Sequence, residues 1–559
     1  MKIIIKKILP ILGVLFLLNA CTDLDTDVKS EYTEENFPIT QADMEAVCGP
    51  AYSRFKGAYG RNFWLMVTGT TDEATMVTND NNWYDKGYYG EFALHTWTYD
   101  NSMTTGAFEE LFTCISTCNQ ILTILEKAPE TEYRAQAMAE IKTMRALYYF
   151  WAMDNFGRLP IIDKFGITAP PQSSRKEVAE FIKKELIENT PSLSTKVDKT
   201  TYGKPTQYMA KALLAKLYLN WGVYTAADIS NYEPSDSNKD SNTHLDDLVA
   251  VCDEIIQSNA FELGNDWLAK FKPNNGANIK DFIFAFPYNW NLADGNIHSR
   301  FWGHKFFEFT FGMKRKPSGP LRAIPEFVDK YNLPGDVRNK IWRGGPQYYE
   351  DNPTKPYIVK ISKKTLDKYY KGTDGDAIVE WHFELTKDLV VRGNTPDEIT
   401  ENTRKLDLAG DELGLAMGYR NVKFYPTTYS TNYDQDNDIP IFRYADILLM
   451  KAEAILRGAT PTLGHTAASL VNQIRECAQA PSVDNITLDE LLDERAREFA
   501  DEYWRRNDLI RFGKFEDDWG LKKAILGTSN KDKYRRVFSI PLKFMQLNPT
   551  WTQNPGYTK

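Results

Sequence analysis

The chain has 559 residues, with 67 Lys and Arg against 76 Asp and Glu, and a formal net charge of -9. An apolar fraction of 42% supports a large core and excludes disorder of the whole chain, while the acidic balance repels phosphate backbones and argues against general nucleic-acid binding. No interior stretch holds about 18 consecutive apolar residues, which excludes a multi-span helical membrane protein; with 13 Trp, 30 Tyr and 30 Phe, polar-tipped aromatics are the feature that needs a reason.

Residues 1–20 read as an address. Lys2, Lys6 and Lys7 form a basic start, and Ile8 to Leu18 is an apolar run interrupted by Pro10. The run is too short to span a bilayer and suits a signal peptide. Leu18-Asn19-Ala20-Cys21 resembles a bacterial lipoprotein lipobox, which implies cleavage before Cys21 and lipidation of its sulfur. Several acyl chains on one cysteine meet the need for more than one anchoring signal. Residues 21–40, opening on Thr22-Asp23-Leu24-Asp25-Thr26-Asp27, then read as a solvated tether.

The next elements are helical. Phe108, Leu111, Phe112, Ile115, Cys118, Leu122 and Leu125 predict a helix over Ala107 to Leu125. Ile141, Met144, Leu147, Tyr148 and Trp151 predict another, stopping at Asn155-Phe156-Gly157 before Pro160. Pro205 reads as a first-turn proline ahead of the stripe Tyr208, Ala212, Ala215 and Leu219. Leu245 to Gln257 follows; nearer the C-terminus come Tyr444 to Leu456 with Gly458 behind it, Ala467 to Ala478, and Leu488 to Ile510. Paired helices with small residues at close approaches resemble tetratricopeptide hairpins of degenerate period, an unrelated helical bundle being the alternative.

Two stretches break the helical period. Residues 61–100 and about 265–440 are rich in Gly, Pro, Asn and aromatics. Long irregular segments in a folded protein are commonly functional. Phe282, Phe284 and Phe286 alternate and predict a buried strand. Ser230 to Asn242 is polar and reads as an exposed loop.

Signatures of chemistry are missing. The sequence has no GxSxG, P-loop, HExxH or Rossmann glycine motif. The histidines are scattered, and no metal or other cofactor is signalled. Beyond Cys21 the cysteines number five, an odd, sparse set that builds no disulfide framework; Cys114 and Cys118 read as small core residues. Asp434, Asp436 and Asp438 alternate like the start of an EF-hand, but Ile439 and Ala445 stand where its glycine and glutamate belong, so this reads as a polar loop. Opposed carboxylates of the glycosidase kind are not excluded by sequence.

Aromatics among amides and carboxylates suit a sugar: the C–H face of the ring packs on an aromatic plane, and the hydroxyls need polar partners at the rim. Stacked nucleobases would need a basic groove, yet Lys86 is the only basic residue between Arg61 and Ser102. The candidate stacking residues are Trp83, Tyr84, Trp97, Trp290 and Trp302, with Asp72, Asn81, Asn82 and Arg300 for hydroxyl contacts.

A set of stretches runs in order along the chain: Cys21 after its signal, Thr71-Asp72-Glu73-Ala74, the run from Arg145 through Asn155-Phe156-Gly157-Arg158-Leu159-Pro160, and Phe442-Arg443-Tyr444-Ala445-Asp446 on to Ala454. Val471 to Arg475, Leu492 to Gly513, Ile540-Pro541, Asn548-Pro549 and Gln553 to Tyr557 complete it. Together these resemble the SusD/RagB-type outer-membrane nutrient-binding lipoproteins. The resemblance implies a mainly α fold: a degenerate tetratricopeptide-like scaffold with a loop-rich, aromatic-rich ligand-binding part. It divides the mature chain into an N-terminal helical part (41–264, with the aromatic loop 61–100), an irregular ligand-binding part (265–440) and a C-terminal helical part (441–559). It also implies a lipid-anchored, surface-exposed protein of the outer membrane that captures a glycan and passes it to a SusC-like TonB-dependent transporter, without enzyme activity. Ligand residues of that family sit on variable loops, so no site residue is carried over. Alternatives are a binder of peptide or another nutrient on the same fold, a glycan-cleaving enzyme, and a surface lipoprotein that only docks.

Overall fold

Ten helices carry the scaffold of the computed structural model, which describes residues 37–557 apart from 169, 235–240, 293–294, 367–375, 394 and 523–529. The signal segment, Cys21 and most of the tether lie outside the described residues. The helices are α1 (Gln41–Ser53), α2 (Ser102–Leu125), α3 (Glu132–Phe156), α4 (Arg175–Asn189), α5 (Gln207–Leu219), α6 (Leu245–Gln257), α7 (Tyr444–Leu456), α8 (Ala467–Ala478), α9 (Leu488–Phe499) and α10 (Arg505–Arg511). Each of α2 to α7 packs on its successor in an unbroken stack, so the N-terminal and C-terminal helices share one layer. Every residue of α3 from Met144 to Phe156 is buried, as expected of a helix covered on all sides.

The caps are written in the sequence. Thr40 with Asp43, Ser174 with Glu177 and Thr487 with Glu490 form reciprocal capping boxes. At the start of α5 the cap is Thr206, whose hydroxyl accepts from the Met209 amide, so Pro205 lies before the helix and not in its first turn. α3 stops at Gly157, in a left-handed conformation at φ 72° that a side chain disfavours.

The helix expected over Leu488 to Ile510 is two helices. Asp501 and Tyr503 take positive φ between α9 and α10, and the break turns side chains inward. The Asp501 carboxylate accepts from both indoles of Trp64 and Trp302, at 2.8 and 3.2 Å, and its amide donates to Glu73 at 2.6 Å. Burial pushes both Glu73 and Asp501 up from the ordinary carboxylate range. Asp72 meets Arg505 through two hydrogen bonds of 2.7 and 2.6 Å. The Thr71–Ala74 motif is thus a clasp onto α10.

A buried ionic frame surrounds this junction. Arg443 bonds Asp281, Glu498 and Glu502 at 2.7 to 2.8 Å, Arg338 bonds Asp336, Glu494 and Glu498, and Arg511 bonds Glu453 and Asp508. Glu494 with Arg497 is a pair within one helix, but most bonds join different elements. Charge buried at this density is tolerated because nearly every group finds opposite charge and hydrogen bonds.

The sheets are small. β1 (Ala74–Met76) pairs antiparallel with β3 (Leu321–Ala323), and β2 (Phe282–Phe286) with β6 (Ile439–Arg443), the latter two buried throughout. A hairpin joins β4 (Ile358–Ser362) to β5 (Ile378–His382). Residues 61–100 are less irregular than their composition implies: they hold β1 and the short helices Trp64–Thr68 and Tyr88–Leu94. The described cysteines are all free and buried. Among the described residues no helix is long and apolar enough to cross a membrane, and no cluster of His, Cys, Asp and Glu could hold a metal ion.

Candidate functional site

Three loops of the irregular layer bring aromatics and arginines together. The first follows β1. Its backbone turns through five non-glycine residues with positive φ: Asp80, Asn81, Trp83, Asp85 and Lys86. Such conformations cost roughly 1–3 kcal/mol each and persist only where the surroundings impose them. Here Asp407 fixes the first two, Asp80 and Asn81. Its carboxylate accepts from the amides of Asp80, Asn81 and Ala409 at 2.9 to 3.0 Å, while the Asn79 side chain donates to the Ala409 carbonyl at 2.6 Å. The loop carries Trp83, half-buried, its ring 5.4 Å from Phe301.

The second loop runs from Tyr288 into the short helix His298–Trp302. Asp438 and Asp436 receive the amides of Tyr288 and Trp290 at 2.7 and 2.8 Å. This gives the polar 434–438 segment its role: the Asp436 and Asp438 carboxylates fasten neighbouring backbone. Burial raises Asp438 to about 7, despite hydrogen bonds from Tyr288 and Tyr202. The short helix delivers Arg300, whose guanidinium lies 5.8 Å from the Trp83 ring and 4.3 Å from that of Tyr433.

The third loop, 425–436, supplies Tyr429 and Tyr433. A second guanidinium, that of Arg315, lies 4.4 Å from the Tyr433 ring. Cation and ring face each other in a geometry that is favourable by roughly 0.5–2 kcal/mol and fixes both groups. Tyr429 is 47% exposed, meets the half-buried Trp290 edge to face at 6.4 Å and donates to Asp436. That hydrogen bond, with some burial, pushes its hydroxyl up to about 12, so it stays protonated.

The site residues expected from sequence divide cleanly. Trp83, Trp290 and Arg300 fall in this assembly, and Tyr84, Asn81 and Asn82 lie exposed on its first loop. Trp97 does not: it is fully buried, with its indole donating to Tyr557 at 2.7 Å. Trp302 is equally buried, between Asp501 and Trp342. Asp72 is held in its ion pair with Arg505. Trp97 and Trp302 are corrected to framework residues because they present no surface to a ligand, and Asp72 because its carboxylate is committed to Arg505. Tyr429, Tyr433 and Arg315 were not anticipated. Their signal was a tyrosine every fourth residue, Tyr425, Tyr429 and Tyr433, in a run of Thr, Ser, Asn and Asp.

The assembly is chemically a platform. Partly exposed aromatic rings, two guanidinium groups and side-chain amides lie together in it.

Comparison with known proteins gives a consistent result. Residues 398–557 match the model of the SusD family, and residues 27–219 match that described as "Starch-binding associating with outer membrane". The chain is 26% identical over 503 residues to the starch-binding protein SusD of Bacteroides thetaiotaomicron, covering 85% of this chain and 82% of that one. A SusD superfamily protein from Parabacteroides distasonis superposes with a TM-score of 0.67 at 21% identity, over 94% of this chain and 100% of the other. Surface glycan-binding protein A of Bacteroides thetaiotaomicron, in complex with laminarihexaose, gives a TM-score of 0.63 at 19% identity over 91% and 98%. These likenesses fix the fold as that of SusD proteins: mainly helical with little sheet.

Proposed function

The chain belongs to the SusD family, and from that premise we propose that it is a cell-surface protein that captures a glycan on the Trp83–Tyr433–Trp290 platform. The observation that carries this reading is the convergence of three loops, one of them strained, on partly exposed aromatic rings with Arg300 and Arg315 beside them. A sugar ring needs a flat apolar face and polar groups at its edge, and this surface offers both. A relative is named for starch binding and a structural neighbour was solved with laminarihexaose; both names support a saccharide over a peptide. Both are also names of binding proteins, in keeping with a chain that leaves its ligand uncut.

The remaining parts of the reading follow from the family. Cys21 carries the lipid anchor, the outer membrane is the location, and a SusC-like TonB-dependent transporter receives the glycan. No cofactor takes part. The deciding experiment is calorimetric titration of the soluble form, beginning at Thr22, with a panel of polysaccharides and their oligosaccharides. Saturable binding to one class, with the glycan recovered at its original length, is the expected result. Binding to peptide mixtures alone, or release of shortened products, overturns it.

A further inference from the structure

A cavity of about 510 Å³ opens where the platform's third loop begins, at Tyr425, and contains none of the residues expected from sequence. Its volume is in the range of small-ligand sites. Tyr425, 42% exposed, lines it together with Arg343 and Asp351. The guanidinium of Arg343 holds the Asp351 carboxylate through two hydrogen bonds of 3.0 and 2.9 Å. It also lies 5.1 Å from the ring of Phe311, which meets the edge of Tyr425 at 5.3 Å. Exposed Asp266, Lys272 and Lys340 complete the rim, and neither lysine has an ion pair among the described residues. An aromatic face fixed by a ring contact, a bidentate Arg–Asp pair and free amino groups together form the type of surface that accepts a polyhydroxylated ring.

The cavity is tied to the platform by two neighbouring segments. Tyr425 at the cavity and Tyr433 at the platform are on one loop, at most about 28 Å apart by chain length. Beside it runs the segment from Phe311, at the cavity, to Arg315, at the platform, joined to the loop where the Lys314 amide donates to the Thr428 carbonyl at 3.2 Å.

We propose that this cavity is a second saccharide subsite, which takes a later stretch of the same glycan chain whose first stretch lies on the Trp83–Tyr433 platform. The inference rests on the glycan-binding reading above. One chain engaging two weak sites gains affinity without new contacts, because the second encounter becomes intramolecular. The protein would therefore select long chains over short ones.

The test is calorimetry with a length series of oligosaccharides from whichever polysaccharide the parent chain binds, comparing parent, Tyr425→Ala and Asp351→Asn. Both positions are exposed enough to substitute without unfolding, which a thermal melt verifies. The expected result is a loss of about tenfold or more for the longest chains and no change for the shortest oligosaccharide that binds. A platform variant, Trp83→Ala, should weaken every length. Parent-like affinity of both cavity variants at all lengths overturns the subsite and leaves the platform standing. A parent chain that binds no glycan removes the platform reading and the subsite with it.

Discussion

The ionic frame and the aromatic platform are built on opposite principles. In the frame, Arg443, Arg338 and Arg511 are fully buried and each is surrounded by carboxylates. On the platform, Arg300 and Arg315 are open to solvent at least in part and lie against rings. The same side chain serves rigidity in one place and recognition in the other, and what separates the two is the partner. A guanidinium enclosed by carboxylates has nothing left to offer a ligand. One lying against an aromatic ring keeps N–H groups for hydroxyl oxygens.

The comparison breaks first at the frame. Arg443→Ala leaves Asp281, Glu498 and Glu502 buried with fewer cations, and removing one partner of such a cluster costs about 3–5 kcal/mol. Denaturant unfolding should register that loss in full. A loss below about 1 kcal/mol would mean that the frame does not hold the fold, and that its charges are tolerated rather than required.

The platform should respond in the other coordinate. Trp83→Ala is expected to weaken glycan binding by roughly 5–150-fold, the equivalent of about 1–3 kcal/mol for a stacked ring. Its midpoint of unfolding should move far less than that of Arg443→Ala, since Trp83 is half-buried. Unchanged affinity in a folded Trp83→Ala chain would strike this residue from the site.

This division also explains what the sequence made legible. The helices and the family stretches were readable because each depends on local spacing, as in the apolar residues repeating along α2, although the one helix start read from a residue, Pro205, lies before its helix. The expectation for Trp97 and Trp302 failed because composition alone does not tell an aromatic that faces water from one that fills a core. Trp97 sits in a cluster with Tyr84 and Asn81 in sequence, yet its partner Tyr557 is 460 residues away. Tyr433 escaped notice for the converse reason. Nothing in a polar loop announces that Arg300 and Arg315, from two other segments, meet on its ring. Asp434, Asp436 and Asp438 lie in a polar loop as read from sequence, but the bonds of Asp438 and Asp436 to the Tyr288 and Trp290 amides depend on long-range pairing that spacing does not encode.

A finer effect is expected at the anchor of the first loop. Asp407→Ala removes the acceptor for three amides, and the strained turn through Asp80, Asn81 and Trp83 then loses the contacts that fix its first two residues. Glycan affinity should fall by roughly tenfold, about 1.4 kcal/mol, through misplacement of Trp83 and without any contact to the ligand. If Asp407→Ala binds like the parent while Trp83→Ala does not, the loop holds its shape by other means.

The smallest effect, and the sharpest in sign, lies in pH. In the frame, Lys270 and Arg443 outweigh burial and hold Asp281 at about 2, and Arg338, Arg497 and Arg475 do the same for Glu494, also at about 2. Carboxylates held below their unfolded values of about 4 stabilise the fold above that value, and the contribution is lost as pH falls toward about 2. Asp438, at the base of the platform, has the opposite sign. Burial raises it to about 7, so between about 4 and 7 the folded chain keeps a proton that the unfolded chain releases, and stability declines as pH rises through that window. Asp438→Asn cannot ionise and should flatten the decline, leaving the acid limb below about 4 in place. The dependence that remains above pH 4 is a balance: burial also raises Glu73, Asp501, Glu91, Glu140 and Asp517, which slope the same way, and holds His95, His298 and His304 below the usual imidazole range, which slopes the other way, so the reading is the difference between parent and variant. Unfolding curves at half-unit steps of pH for the parent and Asp438→Asn resolve the two limbs. If the variant keeps the parent's full decline between pH 4 and 7, Asp438 is ionised in the folded chain, and the buried base of the platform carries charge just as the frame does.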